Sequence, residues 1–391
     1  MKFWLAPLLL LAAATSAPSQ PLPSKAAVDL AARKLMRTTG AKGLALAMID
    51  GGRVRYVHTF GVRNAAGHPL RADTVMYGAS LTKTLFAYTV LQLVDQGKVA
   101  LDTPLADYLD KPLPDYDPEK IYPDKYGPYR DLAGDQRWRI ITTRHVLTHS
   151  TGFRNFWWDE PDQKLRINFE PGSRYSYSGE GMILLQFAIE NGRKDRSLGL
   201  DVGQLTQAIF DRLKMTRTSL KWRPDFRPNL ADGFDDQGKP VAHDERSKVR
   251  AAGSMDTTIS DFARFVAALI RHEGLSAASW REMLRPQLHI TTAHQFPVLA
   301  PELPPERQRK DLHAGLGVIV FEGPQGRGFF KGGHDEQTAN MLVCLRAKKR
   351  CVLLMSNDVR AEAGYAGLIR TILGDTGVPL DWEYGDHAGK S

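Results

Sequence analysis

Ser80 and Lys83 stand three residues apart in Ser80-Leu81-Thr82-Lys83, a spacing that on a helix puts a hydroxyl and an amine on one face, one turn apart. A desolvated amine there can lose its proton and help activate the serine as a nucleophile. The flanks suit this placement. Thr74-Val75-Met76-Tyr77 reads as extended chain and Gly78-Ala79 as a tight entry. The apolar run through Leu81, Leu85, Phe86, Val90 and Leu93 then reads as a helix that Gly97 closes as its C-cap. Because it is apolar nearly all round, this helix is expected to be central, with its N-terminus at a cleft where the dipole favours developing negative charge. On the tetrapeptide alone, a capping serine with a surface lysine is an equal reading.

Four more segments follow in fixed order: Thr143 to Gly152 (Thr-Arg-His-Val-Leu-Thr-His-Ser-Thr-Gly), Pro171 to Gly179 (Pro-Gly-Ser-Arg-Tyr-Ser-Tyr-Ser-Gly), Ala251-Ala252-Gly253-Ser254-Met255, and Lys331-Gly332-Gly333-His334. With Ser80 to Lys83 they resemble the penicillin-recognising serine hydrolases. The nearest group is the class C β-lactamase-like branch with its family VIII esterases, D-aminopeptidases and D-alanyl-D-alanine carboxypeptidases. The resemblance covers nearly all of the chain after the leader.

It implies Ser80 as the acylated nucleophile and Lys83 and Tyr177 as a coupled pair that shuttles its proton, the tyrosine pKa being lowered by neighbouring ammonium charge. Either of the two can be the base. The family geometry implies an oxyanion hole from the backbone N–H groups of Ser80 and His334. Gly332 and Gly333 would let substrate approach the strand closely. Lys331 would offer a cation to a substrate carboxylate, predicting a preference for anionic acyl donors, or would keep Tyr177 ionised. Two departures stand out: Gly332 replaces a hydroxyl residue, and Gly179 takes the place of the asparagine in Tyr-x-Asn. The second weakens the case for efficient β-lactam hydrolysis, with Glu180 or Ser178 as candidates to compensate.

The expected function is a serine hydrolase forming an acyl-enzyme on Ser80 and cleaving amide or ester bonds of small peptide-like or ester substrates, with no cofactor and no metal. Its alternatives are a family VIII-type carboxylesterase acting on neutral esters, a weak β-lactamase, and an inactive binder of cell-wall peptides. His145 and His149 have the spacing of a zinc helix. Val146 stands where a metalloprotease base belongs, so they read as a structural pair. Gly78-Ala79-Ser80-Leu81-Thr82 lacks the second glycine of an α/β-hydrolase elbow.

The 391 residues, 42% hydrophobic and 25% charged, suffice for two cores. Lys2, the apolar run Phe3 to Ala14 and the small residues at Ala17 to Ser19 read as a signal peptide over 1–19, with an uncleaved anchor as the alternative. A periplasmic or secreted protein without stable membrane insertion is expected; oligomeric state is open. The net charge of +8 comes from scattered bases, and no nucleic-acid motif accompanies them. The densest cluster, Arg346 to Arg350, reads as a hairpin turn.

Fold class reads as α+β: an antiparallel sheet built from both chain ends and flanked by terminal helices, plus an inserted mainly helical domain, serine β-lactamase-like by the resemblance. The boundaries are 24–75 with 312–391 for the split sheet domain and 76–311 for the helical one. Expected helices run from Lys25 to Thr38 behind Ser24, Glu180 to Glu190, Val202 to Leu213, Asp261 to Ile270 behind a Ser260 N-cap, and Ala361 to Leu373. Expected strands run over Gly43 to Ile49, Arg53 to Phe60, Gly315 to Glu322, Arg327 to Lys331, Met341 to Arg346 and Cys351 to Ser356. Cys344 and Cys351 are equidistant from the turn at Ala347-Lys348, so a symmetric hairpin sets them opposite each other and favours a disulfide in an exported protein. Tyr116, Tyr122, Tyr126, Tyr129, Trp138 and Phe156-Trp157-Trp158 either line an apolar acyl pocket or pack the loops together. The proline-rich stretch from Pro297 to Arg309 reads as a cleft-edge loop or an oligomer contact.

Overall fold

The computed structural model describes residues 21–385, so the expected leader lies outside the described residues. Helix α1 (Lys25–Thr39) starts where the Ser24 hydroxyl accepts from Ala27 N–H and stops at Gly40, whose φ of 75° is a left-handed cap. The hairpin β1 (Gly43–Asp50) and β2 (Arg53–Gly61) turns through Gly51 and Gly52, both at positive φ. Later strands are β3 (Leu288–His289), β4 (Leu312–Ala314), β5 (Ile319–Gly323), β6 (Gly326–His334), β7 (Ala339–Leu345) and β8 (Arg350–Ser356). They join into one eight-stranded antiparallel sheet of order β2-β1-β8-β7-β6-β5-β4-β3. Strands from early and late in the chain therefore meet where β1 pairs with β8, the second and third strands of the sheet.

Central strands are buried on both faces, and alternation decides which layer each side chain joins. In β1, Leu44, Leu46 and Met48 pack with α1 and α6 (Tyr365–Leu373), while Ala45, Ala47 and Ile49 face the helical layer. That layer comprises α2 (Leu81–Asp95), α3 (Gly179–Asn191), α4 (Val202–Arg212) and α5 (Ile259–Ile270). In α2, 12 of its 15 residues are buried, which makes it the centre of that layer. Cys344 and Cys351 are direct partners in the β7–β8 hairpin and form a disulfide, with Cα atoms 4.1 Å apart.

Three expected boundaries shift. Thr258, not Ser260, caps α5, because its hydroxyl reaches Asp261 N–H from extended backbone. The strand expected from Gly315 starts only at Ile319, as β5, and β4 ends before it at Ala314, since Gly317 (φ 74°) brings the chain so close to α2 that a Cβ there would lie 2.3 Å from that of Ala87. Residues Val359–Gly364 form a 3-10 turn capped by Asp358 before α6 begins.

Candidate active site

The position of Ser80 is set by a strained turn. Ala79, immediately before Ser80, has φ 44°, unusual for a residue with a side chain. The 251–255 segment holds this turn. Gly78 N–H donates to Met255 O at 2.8 Å, and Tyr77 Oη donates to Gly253 O at 2.6 Å. Lys83 Nζ lies 2.9 Å from Ser80 Oγ and also donates to Ala252 O. The Tyr177 ring lies 4.9 Å from Lys83 Nζ, and the Ser80 hydroxyl is near enough to its phenol to act on it. The structure thus brings Ser80, Lys83 and Tyr177 together at the N-terminus of α2, and Ser80 and Lys83 line a cavity of about 530 Å³.

Burial is the largest influence on both Lys83 and Tyr177. It drives the Lys83 amine well below the usual lysine range, reinforced by the positive charges of Lys331 and Arg250. It drives the Tyr177 phenol upward, opposed by the Ser80 hydroxyl. The expected lowering of the tyrosine pKa by ammonium charge is therefore corrected: desolvation wins, and Tyr177 is held as a neutral phenol.

Tyr177 is supported from beneath by His149, whose ring lies 4.5 Å from it, tilted by 33°. Ser178 N–H donates to His149 Nδ1 at 3.1 Å. Burial and the charges of Lys83 and Lys331 keep this histidine's pKa well below its ordinary value. His145 belongs elsewhere, in the capping box of the short helix Thr143–Leu147. Among the described residues no group of three or more His, Cys, Asp or Glu side chains is arranged to hold a metal ion. Phe296, just before the proline-rich stretch, packs against both Tyr177 and His334, at 5.1 and 5.3 Å between ring centres. The stretch itself is tied to the segment before Tyr177, where Leu299 N–H donates to Ser176 Oγ at 3.1 Å.

Gly179 has no room for an asparagine. A Cβ there would meet Phe156 Cε1 at 2.9 Å and Asn155 Oδ1 at 3.0 Å. Asn155, which lines the cavity, accepts from Gly179 N–H at 3.0 Å through that same Oδ1, so its amide group faces the place a side chain at 179 would occupy. Neither suggested substitute does this: the Ser178 hydroxyl accepts from Gly181 N–H and donates to Arg154 O, and Glu180 is buried beside Gly127.

Strand β6 brings the other predicted residues, with two corrections. Gly333 abuts the start of α2, where a Cβ would lie 3.0 Å from Ser80 N and 2.9 Å from Leu81 N. That closeness sets the backbone of the next residue, His334, beside the Ser80 N–H. Gly332 faces the opposite way, and a Cβ there would lie 2.0 Å from Glu383 Oε1. Its missing side chain admits the Glu383 carboxylate, not substrate, because successive strand residues point to opposite faces. Lys331 is buried under the Tyr177 ring, with Nζ 5.0 Å from the ring centre and donating to Gly332 O at 2.5 Å. Burial lowers its pKa to about 8, opposed by the charge of Glu383. It is not among the residues lining the Ser80 cavity. Glu383 comes from α7 (Leu380–Tyr384) and accepts from Gln295 Nε2 at 2.7 Å.

The family model for Beta-lactamase matches residues 28–375. The chain belongs to the Beta-lactamase family. Two curated proteins align in part: the acyltransferase calJ of Penicillium decumbens, 39% identical over 22% of this chain and 19% of its own length, and the esterase EstB of Burkholderia gladioli, 30% identical over 29% and 31%. The chain spans about a fifth and a third of the lengths of those two relatives. Among solved structures, a D-alanine carboxypeptidase AmpC from Burkholderia cenocepacia superposes with a TM-score of 0.66 at 17% identity, covering 90% of this chain and 98% of that one. The fold is serine β-lactamase-like.

Sequence reasoning missed Asn155, Arg250 and Glu383 as members of the site. Arg250 directly precedes the Ala251 to Met255 motif, a visible signal. Asn155 and Glu383 carry none, since only the folded chain sets them against Gly179 and Gly332.

Proposed function

We propose that this chain is a serine acyl hydrolase that attacks small ester or amide substrates through Ser80. The observation carrying this reading is the joint approach of Ser80 Oγ to Lys83 Nζ, at 2.9 Å, and to the Tyr177 phenol at the start of a buried helix. Lys83, favoured as the neutral amine, takes the serine proton as Oγ attacks the carbonyl carbon. Tyr177, favoured as the neutral phenol, hands a proton to the leaving group and is resupplied from Lys83. The backbone N–H groups of Ser80 and His334 receive the oxyanion. Water then repeats the sequence in reverse to free Ser80.

An ester-cleaving relative and the likeness to a D-alanine carboxypeptidase fold support both bond types as substrates. The placement of β1, β2 and β4 to β8 in 24–75 with 312–391, and of α2 to α5 in 76–311, supports a division at those bounds. The disulfide and the leader-like first residues support an envelope or secreted location; among the described residues no helix is long and apolar enough to cross a membrane. A fluorophosphonate should label Ser80, located by peptide mass. Ser80→Ala should abolish both labelling and turnover of p-nitrophenyl esters while leaving Tm unchanged. Activity within tenfold of wild type in that variant overturns the reading.

A further inference from the structure

We propose that Arg250 is the substrate anchor of this cleft and that it selects acyl donors carrying a carboxylate. The inference rests on the serine hydrolase reading above and adds the substrate class. Arg250 lines the same cavity of about 530 Å³ as Ser80 and Lys83. It stands two residues before Ala252, whose carbonyl holds Lys83 Nζ, and two residues of chain span at most about 7 Å.

The other cations of the cleft are engaged. Arg246 has Asp244 at 3.5 Å and Asp256 at 3.6 Å, and Lys248 has Asp124 at 3.2 Å. Lys83 is bonded to Ser80 and Ala252. Among the described residues lining the cavity, Arg250 is the one cation with neither an ion-pair partner nor a side-chain hydrogen bond, and its Nε is buried without an acceptor. Glu180 acts on it only through space. A guanidinium keeps its charge even when burial lowers its pKa, so this is a desolvated cation lacking its complement.

It is also held in place. Its guanidinium lies 5.4 Å from the Phe156 ring centre and 5.3 Å from that of Trp158, and these two rings stack on each other at 4.5 Å. A planar fork fixed on an aromatic shelf matches a carboxylate's two oxygens. Lys331, the cation first expected in this role, is turned to Gly332 O and Glu383 instead. Five acids share the cavity wall with Arg250: Asp124, Asp244 and Glu245 pair with Lys248, Arg246 and Arg227, Glu336 is exposed, and burial raises the pKa of Asp335, which weakens its charge.

Two substrate pairs test this. The p-nitrophenyl monoester of glutaric acid and p-nitrophenyl valerate share a leaving group and differ in a carboxylate on the acyl side. The phenylacetyl esters of 3-hydroxybenzoic acid and of its methyl ester differ in a carboxylate on the leaving side. Arg250→Gln should lower the carboxylate-to-neutral ratio of kcat/KM by about 10- to 100-fold in at least one pair, and that pair assigns the side. Arg250→Lys should restore part of it. Any change in Lys83 basicity affects both members of a pair and cancels in the ratio. Ratios within threefold of wild type in both pairs overturn the proposal. Calorimetry on Ser80→Ala separates this from the nucleophile reading: the carboxylate ester should bind more tightly than its neutral partner, and the added Arg250→Gln should erase the difference. If Ser80→Ala still turns substrate over, the nucleophile is wrong while the binding difference still judges Arg250; equal binding of both esters rejects Arg250.

Discussion

Two lysines flank the Tyr177 ring at nearly equal distance, 4.9 Å for Lys83 and 5.0 Å for Lys331, yet they are tuned differently. Both are buried, and burial is the largest influence on each. Lys83 on α2 has only neutral oxygens in contact, while Lys331 and Arg250 repel its charge, so its amine is favoured without a proton. Lys331 on β6 feels the Glu383 carboxylate and titrates at about 8, which keeps it mostly cationic at neutral pH. One carboxylate, admitted by the bare backbone of Gly332, separates an amine favoured neutral from one favoured charged.

The comparison breaks first at Lys83. Lys83→Met keeps the buried volume and removes the proposed base, and a lost general base costs roughly 10² to 10⁴ in rate. We expect kcat to fall by about a thousandfold or more on any ester. Lys331→Met should cost at least tenfold less and leave a different mark. Its cation lowers the Lys83 pKa, so its loss should move the acidic limb of the kcat/KM profile to higher pH. Equal losses in the two variants, with the limb unmoved, would show that the lysines share one role.

Glu383→Gln sharpens the comparison at a smaller scale. The Lys331 cation is present below its pKa of about 8 and is lost above it. Because the Glu383 charge is what raises that pKa against burial, glutamine should lower it. The alkaline limb of kcat/KM should therefore move to lower pH, with a loss of about three- to tenfold near pH 8. Titration of activity from pH 6 to 10 checks this. A limb that stays put or moves up removes Glu383 from the account.

What was legible in the sequence follows this same division. Ser80 and Lys83 are neighbours on one helix, so spacing alone places them. The central strands read as short, largely apolar runs, and the symmetric hairpin placed the Cys344–Cys351 bridge. Tyr177, Gly333 and His334 were reached through ordered motifs rather than spacing. The failures were of contacts between distant segments: Asn155 filling the place that Gly179 leaves, Glu383 entering beside Gly332, and the dominance of burial over ammonium charge at Tyr177. No local pattern announces how deeply a phenol will be buried. The aromatic segment shows the same limit, because Tyr116, Tyr126 and Tyr129 pack around Phe187 of α3 while Phe156 lines the cavity.

The smallest expected effect concerns a second carboxylate, Glu362, whose Oε2 lies 3.6 Å from His334 Nδ1. Burial first, then the charge of Glu383, raises the Glu362 pKa to about 8, while burial first, then Lys331 and Lys83, lowers that of His334 to about 4. Near neutral pH this is mostly a protonated acid beside a neutral imidazole, not an ion pair. The sign follows from linkage. A carboxyl whose folded pKa is raised from 4.5 to about 8 contributes stability that is fully present below pH 4.5 and is lost as pH rises through 8. Glu362→Gln imitates the protonated form and does not titrate, so its Tm relative to wild type should rise from pH 5 to pH 9. The His334 shift acts in the opposite direction but only below about pH 6.5 and is common to both proteins. Adding Glu383→Gln should shrink the rise, since the charge that helps hold the proton on Glu362 is gone. A Tm difference that is flat or falls with pH would mean that Glu362 is ionised in the folded protein and pairs with a charged His334, and the contrast between the two sides of Tyr177 would then need a second buried ion pair.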